Sequence, residues 1–563
     1  MSSSAAYNMY VFRSSRRDVP GPRLTAELAA DLQAIAAPSS PGPSALRRLV
    51  LRALIRAGEL ESLLADAARP EPASLLARVA DDLAALLVSG APPATATGAL
   101  RVSPESIAAL DVPATVSTSP PEGFSFYALH PLDYARLADR LVSPQVPVRV
   151  VGVRSIGTTL SAVTAAALRR RGIRADRITV RPSGHPYDRR VELGARELRW
   201  VEDGLAEGAQ FWIVDEGPGF SGSSFLSTAD ALVAAGVPPA QIVLLGSRTP
   251  DPDALVAPDA ARRWRSFRSE RAQDGAQPQV DAGEFIGGGA WRRHTFDDEA
   301  RWPPSWTTME RLKYISRDGS RILKFEGMGR YGAECLDRAH GLSQAGFGPA
   351  PHDEGEGFFS YPRLPGRPLQ AGDLSAAVLE RLADYCAFRA SAFQVRSPAV
   401  DELIAMSRNN FSTETGGELP DHVHPEITRP AIVDGKMDPH EWLRSASGEL
   451  LKVDASGHGD DHFLPGPADI AWDLAGAMIE WRMDAAARSA FLERYRRRSG
   501  DRPEPRLPAY LAAYSLFRLG YAAMAAAALQ DPGEARRLLA ARDRYRAALL
   551  EDLGPAGTAG ALG

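Results

Sequence analysis

Asp215 and Glu216 are the residues of this sequence best placed to do chemistry. They follow the apolar run Phe211 to Val214 and precede the loop Gly217-Pro218-Gly219-Phe220-Ser221-Gly222-Ser223-Ser224. Gly and Ser in such a loop let backbone N–H groups converge on a phosphate, and a helix from Phe225 adds the positive end of its dipole. Carboxylates beside a bound phosphate must hold something neutral or cationic. Two ribose hydroxyls, with a magnesium ion nearby, meet that demand. Farther on, Lys324 lies inside the apolar stretch Arg321-Ile322-Leu323-Lys324-Phe325, where an unpaired ammonium is costly. It needs an anionic partner, and Glu334 follows on the helical stretch Tyr331 to Gln344. Asp454 ends another short apolar run, Leu450 to Val453, where a carboxylate can face a metal ion held on phosphate.

These residues need elements to hold them. The run before Asp215 fits a buried parallel strand, and the loop after such a strand opens at the ligand-binding edge of an α/β sheet. Pro147 to Val153 is a second strand, ending in Arg154-Ser155-Ile156-Gly157-Thr158-Thr159 before an Ala-rich helix to Arg170. That turn offers N–H groups, hydroxyls and a guanidinium to an anion. Ile178 to Arg181 is a third strand, running into Pro182-Ser183-Gly184-His185-Pro186-Tyr187-Asp188-Arg189-Arg190, and Ile242 to Leu245 is a fourth. The pattern implies a doubly wound parallel sheet over about 114–290. Arg311 to Ser316 and Arg321 to Phe325, around the turn Asp318-Gly319, read as a β-hairpin.

The acidic pair and its Gly/Ser loop resemble the 5-phosphoribosyl-1-pyrophosphate (PRPP) motif of type I phosphoribosyltransferases. The resemblance implies that Asp215 and Glu216 act at the ribose and that Ser221, Gly222, Ser223 and Ser224 cradle the 5-phosphate. It implies a pyrophosphate loop at Arg154 to Thr159, with Arg154, Ser155, Gly157 and Thr158 as its contacts. A mobile loop over 181–190 would bring Arg181 and Arg189 to the pyrophosphate. The departures are a loop one residue longer than usual and Ser where Thr is common.

From about residue 307 a second resemblance begins, to aminoglycoside-phosphotransferase-like and protein-kinase-like domains. A strand Lys with a helix Glu, here Lys324 and Glu334, is the pair such folds use to hold nucleotide phosphates. Phe358 to Leu369 resembles their interlobe hinge. Asp434-Gly435-Lys436-Met437-Asp438-Pro439-His440-Glu441, then Asp454, then Asp473-Leu474-Ala475, follow the order of their catalytic motifs. The resemblance implies ATP or another nucleotide, Mg²⁺ on Asp454, and Asp473 buttressing the loop. Aligned on Pro439, Lys436 stands where the family has its catalytic Asp, and Glu441 where it has a metal-binding Asn. Glu441 can still hold magnesium, and Asp434 or Asp438 would take the catalytic role after a shift. The alternative is a kinase-like domain that binds nucleotide without transferring phosphate.

At 563 residues the chain is too long for one core. The divisions expected are a helical N-terminal region over 1–113, a phosphoribosyltransferase-like domain over 114–290 and a kinase-like α+β domain over 307–553. Residues 1–113 carry no chemical motif and read as a cap or dimerisation element. A net charge of −5 gives no nucleic-acid or membrane signal, and no apolar run reaches spanning length. Two cysteines without metal spacing suit a reducing cytoplasm. Five of the ten histidines, His422, His424, His440, His458 and His462, fall in one short span; without a recurrent ligand spacing they read as hydrogen-bonding residues around the cleft. The functional expectation is a bifunctional metabolite enzyme with small-molecule substrates; the alternative is a PRPP- and nucleotide-sensing regulator.

Overall fold

The computed structural model describes residues 9–11, 17–37, 42–90, 98–141, 146–273, 275, 281–396, 400–421, 423–457, 463 and 466–558. Five strands form an all-parallel sheet: β1 (Val148–Val153), β2 (Ala175–Val180), β3 (Gln210–Val214), β4 (Ile242–Gly246) and β5 (Arg268–Arg271). Their spatial order is β2-β1-β3-β4-β5. Side chains alternate across the sheet, so Phe211 and Ile213 enter one core while Trp212 and Val214 enter the other. Helices on both faces cover them, Ile156–Arg170 on one and Ser223–Ala234 on the other.

The order reverses between β1 and β3, so the loops after these two strands open side by side at the carboxyl edge. Their approach is close enough to require glycine. A Cβ on Gly157 would lie 2.4 Å from the Val214 carbonyl oxygen.

Helices Gly21–Ala36, Pro43–Asp66 and Pro70–Ser89 each carry Pro in the first turn, where a missing N–H costs nothing. They share one hydrophobic core with Ile156–Arg170 and with one face of the parallel sheet. This N-terminal layer therefore braces the sheet.

The stretch 268–306 gives a strand to each sheet. Arg268–Arg271 is β5, and β6 (Ala282–Phe285) edges a second, antiparallel sheet. That sheet continues with β7 (Lys313–Ser316), β8 (Arg321–Phe325), β9 (His352–Gly355) and β10 (Phe358–Pro362), in the order β6-β7-β8-β10-β9. Helix Gly329–Gln344 follows β8. Below it lies a mainly helical lobe, with Ala376–Ala392, Ala471–Glu480, Ala485–Ser499 and Leu507–Ala528 among its helices. The C-terminal half thus has two lobes, with a cleft between them. Leu507–Ala528 is long and apolar enough to cross a membrane by composition, contrary to the sequence expectation. Here most of it is buried in the helical lobe, which accounts for its apolar character.

Candidate functional site

The edge of the parallel sheet gathers three carboxylates. Asp215 and Glu216 leave β3, and Glu122 reaches them from the short helix Glu122–Ser125. Burial pushes Asp215 up to about 7, against the pull of Arg189 and Arg181. Burial and the nearby charges of Glu122 and Asp215 push Glu216 up to about 8. The Gly123 N–H donates to Glu216 Oε2 at 3.0 Å, and the Tyr134 hydroxyl donates to the Asp215 carbonyl at 2.6 Å, fixing the turn. Crowded acids of raised affinity for protons fit a cation or sugar hydroxyls. Magnesium therefore suits this donor set.

Across from them, Ser155 adopts φ +104°, a strained value for a residue with a side chain. Its N–H points to the Ser62 hydroxyl at 3.3 Å. Thr158 is fully buried, and its hydroxyl bonds Ser62 at 2.8 Å, so it does not face the anion expected there. Arg154 and Arg181 meet Asp66 at 3.0 and 2.5 Å. Both guanidiniums are held by this one carboxylate rather than standing free. Ser62 and Asp66 come from helix Pro43–Asp66, the region without a motif, so sequence reasoning missed them. Glu122 was missed too, because only the fold brings it to the acidic pair.

The segment expected to be a mobile loop is a β-hairpin, Ser183–His185 against Asp188–Arg190. Ser221 and Ser223 donate to the Pro186 carbonyl at 3.1 and 2.7 Å, and Arg189 donates to the Ser224 hydroxyl at 2.9 Å. Gly222, at φ +69°, lets the loop turn into its helix. Two exposed strands of three residues, seated by a few hydrogen bonds, form a unit of low local stability. Limited proteolysis is expected to cut between 183 and 190, and PRPP with Mg²⁺ is expected to slow that cut. Equal cleavage with and without ligand would remove the lid reading.

The interlobe cleft has a volume of about 630 Å³, within the usual range for small-molecule pockets. Ile315 and Ile322 line it from the sheet, Tyr361 to Leu364 from the hinge, and Leu443 and Val453 from below. Trp291, Trp302 and Trp306 close one end, and Trp291 stacks on His440 at 5.7 Å.

Lys324 does not pair with Glu334. Its ammonium meets Asp454 at 2.5 Å and Glu326 at 3.1 Å, while Glu334 pairs with Arg17 and Arg330. Glu326 lies two residues beyond Lys324, just past the end of β8, and continues its alternation toward the same side. Lys313, opposite Lys324 in the β7–β8 register, also meets Asp454 at 3.2 Å.

The loop 434–441 departs further from expectation. Asp473 accepts N–H groups of Asp434 and Gly435 at 2.8 and 3.0 Å. Asp434 itself is fully buried, takes the Tyr385 hydroxyl and sits 3.4 Å from Lys452, so it does not reach the cleft. Asp438 lines the cleft but is paired with Arg518 at 3.3 Å. Despite burial, Arg518, His440 and Lys436 hold its carboxyl far below the usual range. Neither carboxylate is placed as the base that Lys436 displaces.

Magnesium does not fit this cleft as it fits the sheet edge. Glu441 is held by Lys452 at 2.7 Å, and the same ammonium takes the Asp454 carbonyl at 2.6 Å. Asp454 is already met by two lysines. Lys452 is fully buried and cannot withdraw to water. Two unit charges about 4 Å apart interact by about 4 kcal/mol at an effective dielectric of about 20, so a divalent ion beside Lys452 meets roughly twice that in repulsion. Asp438, His440 and Glu441 do offer ligand atoms within 4.8 Å of one another, but two of the three are engaged by Arg518 and Lys452. Of the clustered histidines, His424 is exposed. His422, His458 and His462, with Asp460 and Asp461, lie outside the described residues.

The architecture defines a class before any relative does: a parallel α/β sheet joined to a two-lobed α+β half. No protein-family model matches the chain, and no curated protein matches it. Similar solved structures include choline kinase LicA from Streptococcus pneumoniae, 15% identical with a TM-score of 0.29, covering 42% of this chain and 90% of that one. A choline/ethanolamine kinase family protein from Mesorhizobium loti is 17% identical with a TM-score of 0.28, covering 43% of this chain and 90% of that one. A putative aminoglycoside phosphotransferase from Ralstonia eutropha is 14% identical with a TM-score of 0.31, covering 47% and 98%. At such scores these likenesses carry no argument about activity.

Proposed function

We propose that the chain is a small-molecule transferase that binds PRPP at the edge of its parallel sheet and a nucleotide in its interlobe cleft. One observation carries the first part. The strained loop 154–159 and the acidic Gly/Ser loop 215–224 open together at the reversal between β1 and β3, under a hairpin that can exclude water. Ser221 to Ser224 would take the 5-phosphate at the start of helix Ser223–Ala234. Asp215 and Glu216 would hold the ribose hydroxyls and the magnesium that accompanies PRPP. In the reaction a base-like nucleophile forms the bond to the anomeric carbon as the bond to pyrophosphate breaks, and pyrophosphate leaves with the electron pair. The protein's part is positioning and electrostatic stabilisation. Isothermal titration calorimetry of the full chain with PRPP and Mg²⁺ is expected to show saturable binding. Absence of heat, with an unchanged melting temperature, would end this reading.

For the cleft a regulatory reading stands beside the catalytic one. It is favoured by Lys436 at the position of a catalytic carboxylate, with Asp434 buried and Asp438 tied to Arg518. On that reading the kinase-like half reads a nucleotide without transferring its phosphate, and the sheet domain senses or turns over PRPP.

A further inference from the structure

We propose that the interlobe cleft binds its phosphate-bearing ligand through lysine ammonium groups and without a divalent cation, with Lys436 as the group that meets the phosphate. The inference rests on the nucleotide reading of the cleft. It departs from what the kinase-like architecture implies, because there a metal ion carries the phosphate charge.

The balance of charge argues for it. Lys313, Lys324 and Lys436 all line the cleft, and Lys452 lies just beneath it. Asp454, the residue in the metal-binding position, is spanned by Lys313 and Lys324, and Glu441 is spanned by Lys452. The two carboxylates that would bind a metal are thus already neutralised by the chain's own cations. Magnesium needs a near-octahedral set of oxygens and gives up its waters reluctantly. To reach Asp454 or Glu441 here it would have to displace an ammonium.

Lys436 completes the argument. No hydrogen bond or ion pair within contact distance holds its ammonium among the described residues, although Tyr521, Glu441 and Asp438 are near enough to favour its charge. Asp438 is committed to Arg518 and Glu441 to Lys452. A cation that lines a pocket while its neighbouring acids are taken is a site for an anion. Phosphate oxygens accept from ammonium groups as point charges, with no need of a bidentate fork. The chemistry that suits the pocket is a phosphorylated ligand with an apolar, flat portion resting between Ile315, Ile322, Leu443 and Val453.

The test uses the full chain and ATP as probe, titrated calorimetrically once with Mg²⁺ and once with EDTA. The two dissociation constants are expected to agree within about threefold, and Lys436→Met is expected to weaken ATP binding at least about tenfold in EDTA. Lys436→Arg should bind ATP nearly as well as wild type. A loss of about tenfold or more on chelation overturns the proposal, as does unchanged affinity in Lys436→Met. Absence of ATP binding in both conditions removes the nucleotide reading itself, and the proposal with it. Should Lys436→Met fail to fold, the comparison of Mg²⁺ with EDTA in wild type still decides.

Discussion

The double variant Asp215→Asn/Glu216→Gln is expected to lose PRPP-dependent turnover by at least about a hundredfold, the scale of removing one preorganised electrostatic group from an active site. The amides keep the shape of the turn, where the Tyr134 hydroxyl holds the Asp215 carbonyl and an amide oxygen at 216 can still accept from the Gly123 N–H, but they carry no charge to hold a cation. The same substitution gives a pH signature with a definite sign. Folding raises Asp215 from 3.8 to about 7 and Glu216 from 4.5 to about 8, chiefly through burial. A carboxyl raised on folding lends its stability below the unfolded value and loses it as pH rises through the folded value. The unliganded wild type should therefore melt at progressively lower temperature from about pH 4 to about pH 8, and the double variant should lose that slope. Binding of PRPP with Mg²⁺ runs the other way, because the ionised pair is the form that binds. Its affinity should rise over the same interval. Thermal melts and calorimetry at several pH values measure both, and a fully active double variant would sink the assignment.

Asp473→Ala is expected to destabilise the C-terminal half by about 3–5 kcal/mol, the range for breaking a buried ion pair from one side. Asp473 is fully buried, and burial pushes it up to about 6 although Arg389 and two N–H groups favour its charge. Its removal orphans the N–H groups of Asp434 and Gly435 and leaves Arg389, itself fully buried, with less compensation. For a unit of this size the melting temperature should fall by roughly 6–20 °C. Asp473→Asn keeps one acceptor oxygen and should cost less. A melt of the alanine variant within about 2 °C of wild type would show that the loop does not depend on this carboxylate.

The strand–loop–helix units around Arg154 and Asp215 were legible because an apolar run followed by Gly, Ser and acids has few other uses. Their meeting was not, since only the strand order places β1 beside β3. The partner of Lys324 shows a different limit. A helix Glu was the natural candidate by analogy, yet Glu326 stands two residues along the chain, just past the end of β8, and period-two alternation carried one residue beyond the strand would have found it. Asp454 was singled out for a metal, but Lys452, which precedes it by two residues, takes its carbonyl and neutralises Glu441. The most hidden contributors are Ser62 and Asp66. They are 93 and 115 residues from the loop atoms they hold, on a helix whose sequence advertises only its apolar face.

The first described residues have a consequence for how this chain is made. Met9 and Val11 are buried in the core of the helical lobe, with Phe517 and Tyr545. Asn410 takes the Tyr10 N–H at 3.1 Å and returns a bond to its carbonyl at 2.7 Å. On the ribosome this segment emerges well before its seat, which does not exist until about 500 more residues have followed. At about 5–20 residues per second the wait is roughly 25–100 s. During that time helices Pro43–Asp66 and Pro70–Ser89 can close on the parallel sheet, and residues 9–11 must stay out of that core. Docking of residues 9–11 is thus a late step, and it comes only after the lobe that receives them has been synthesised.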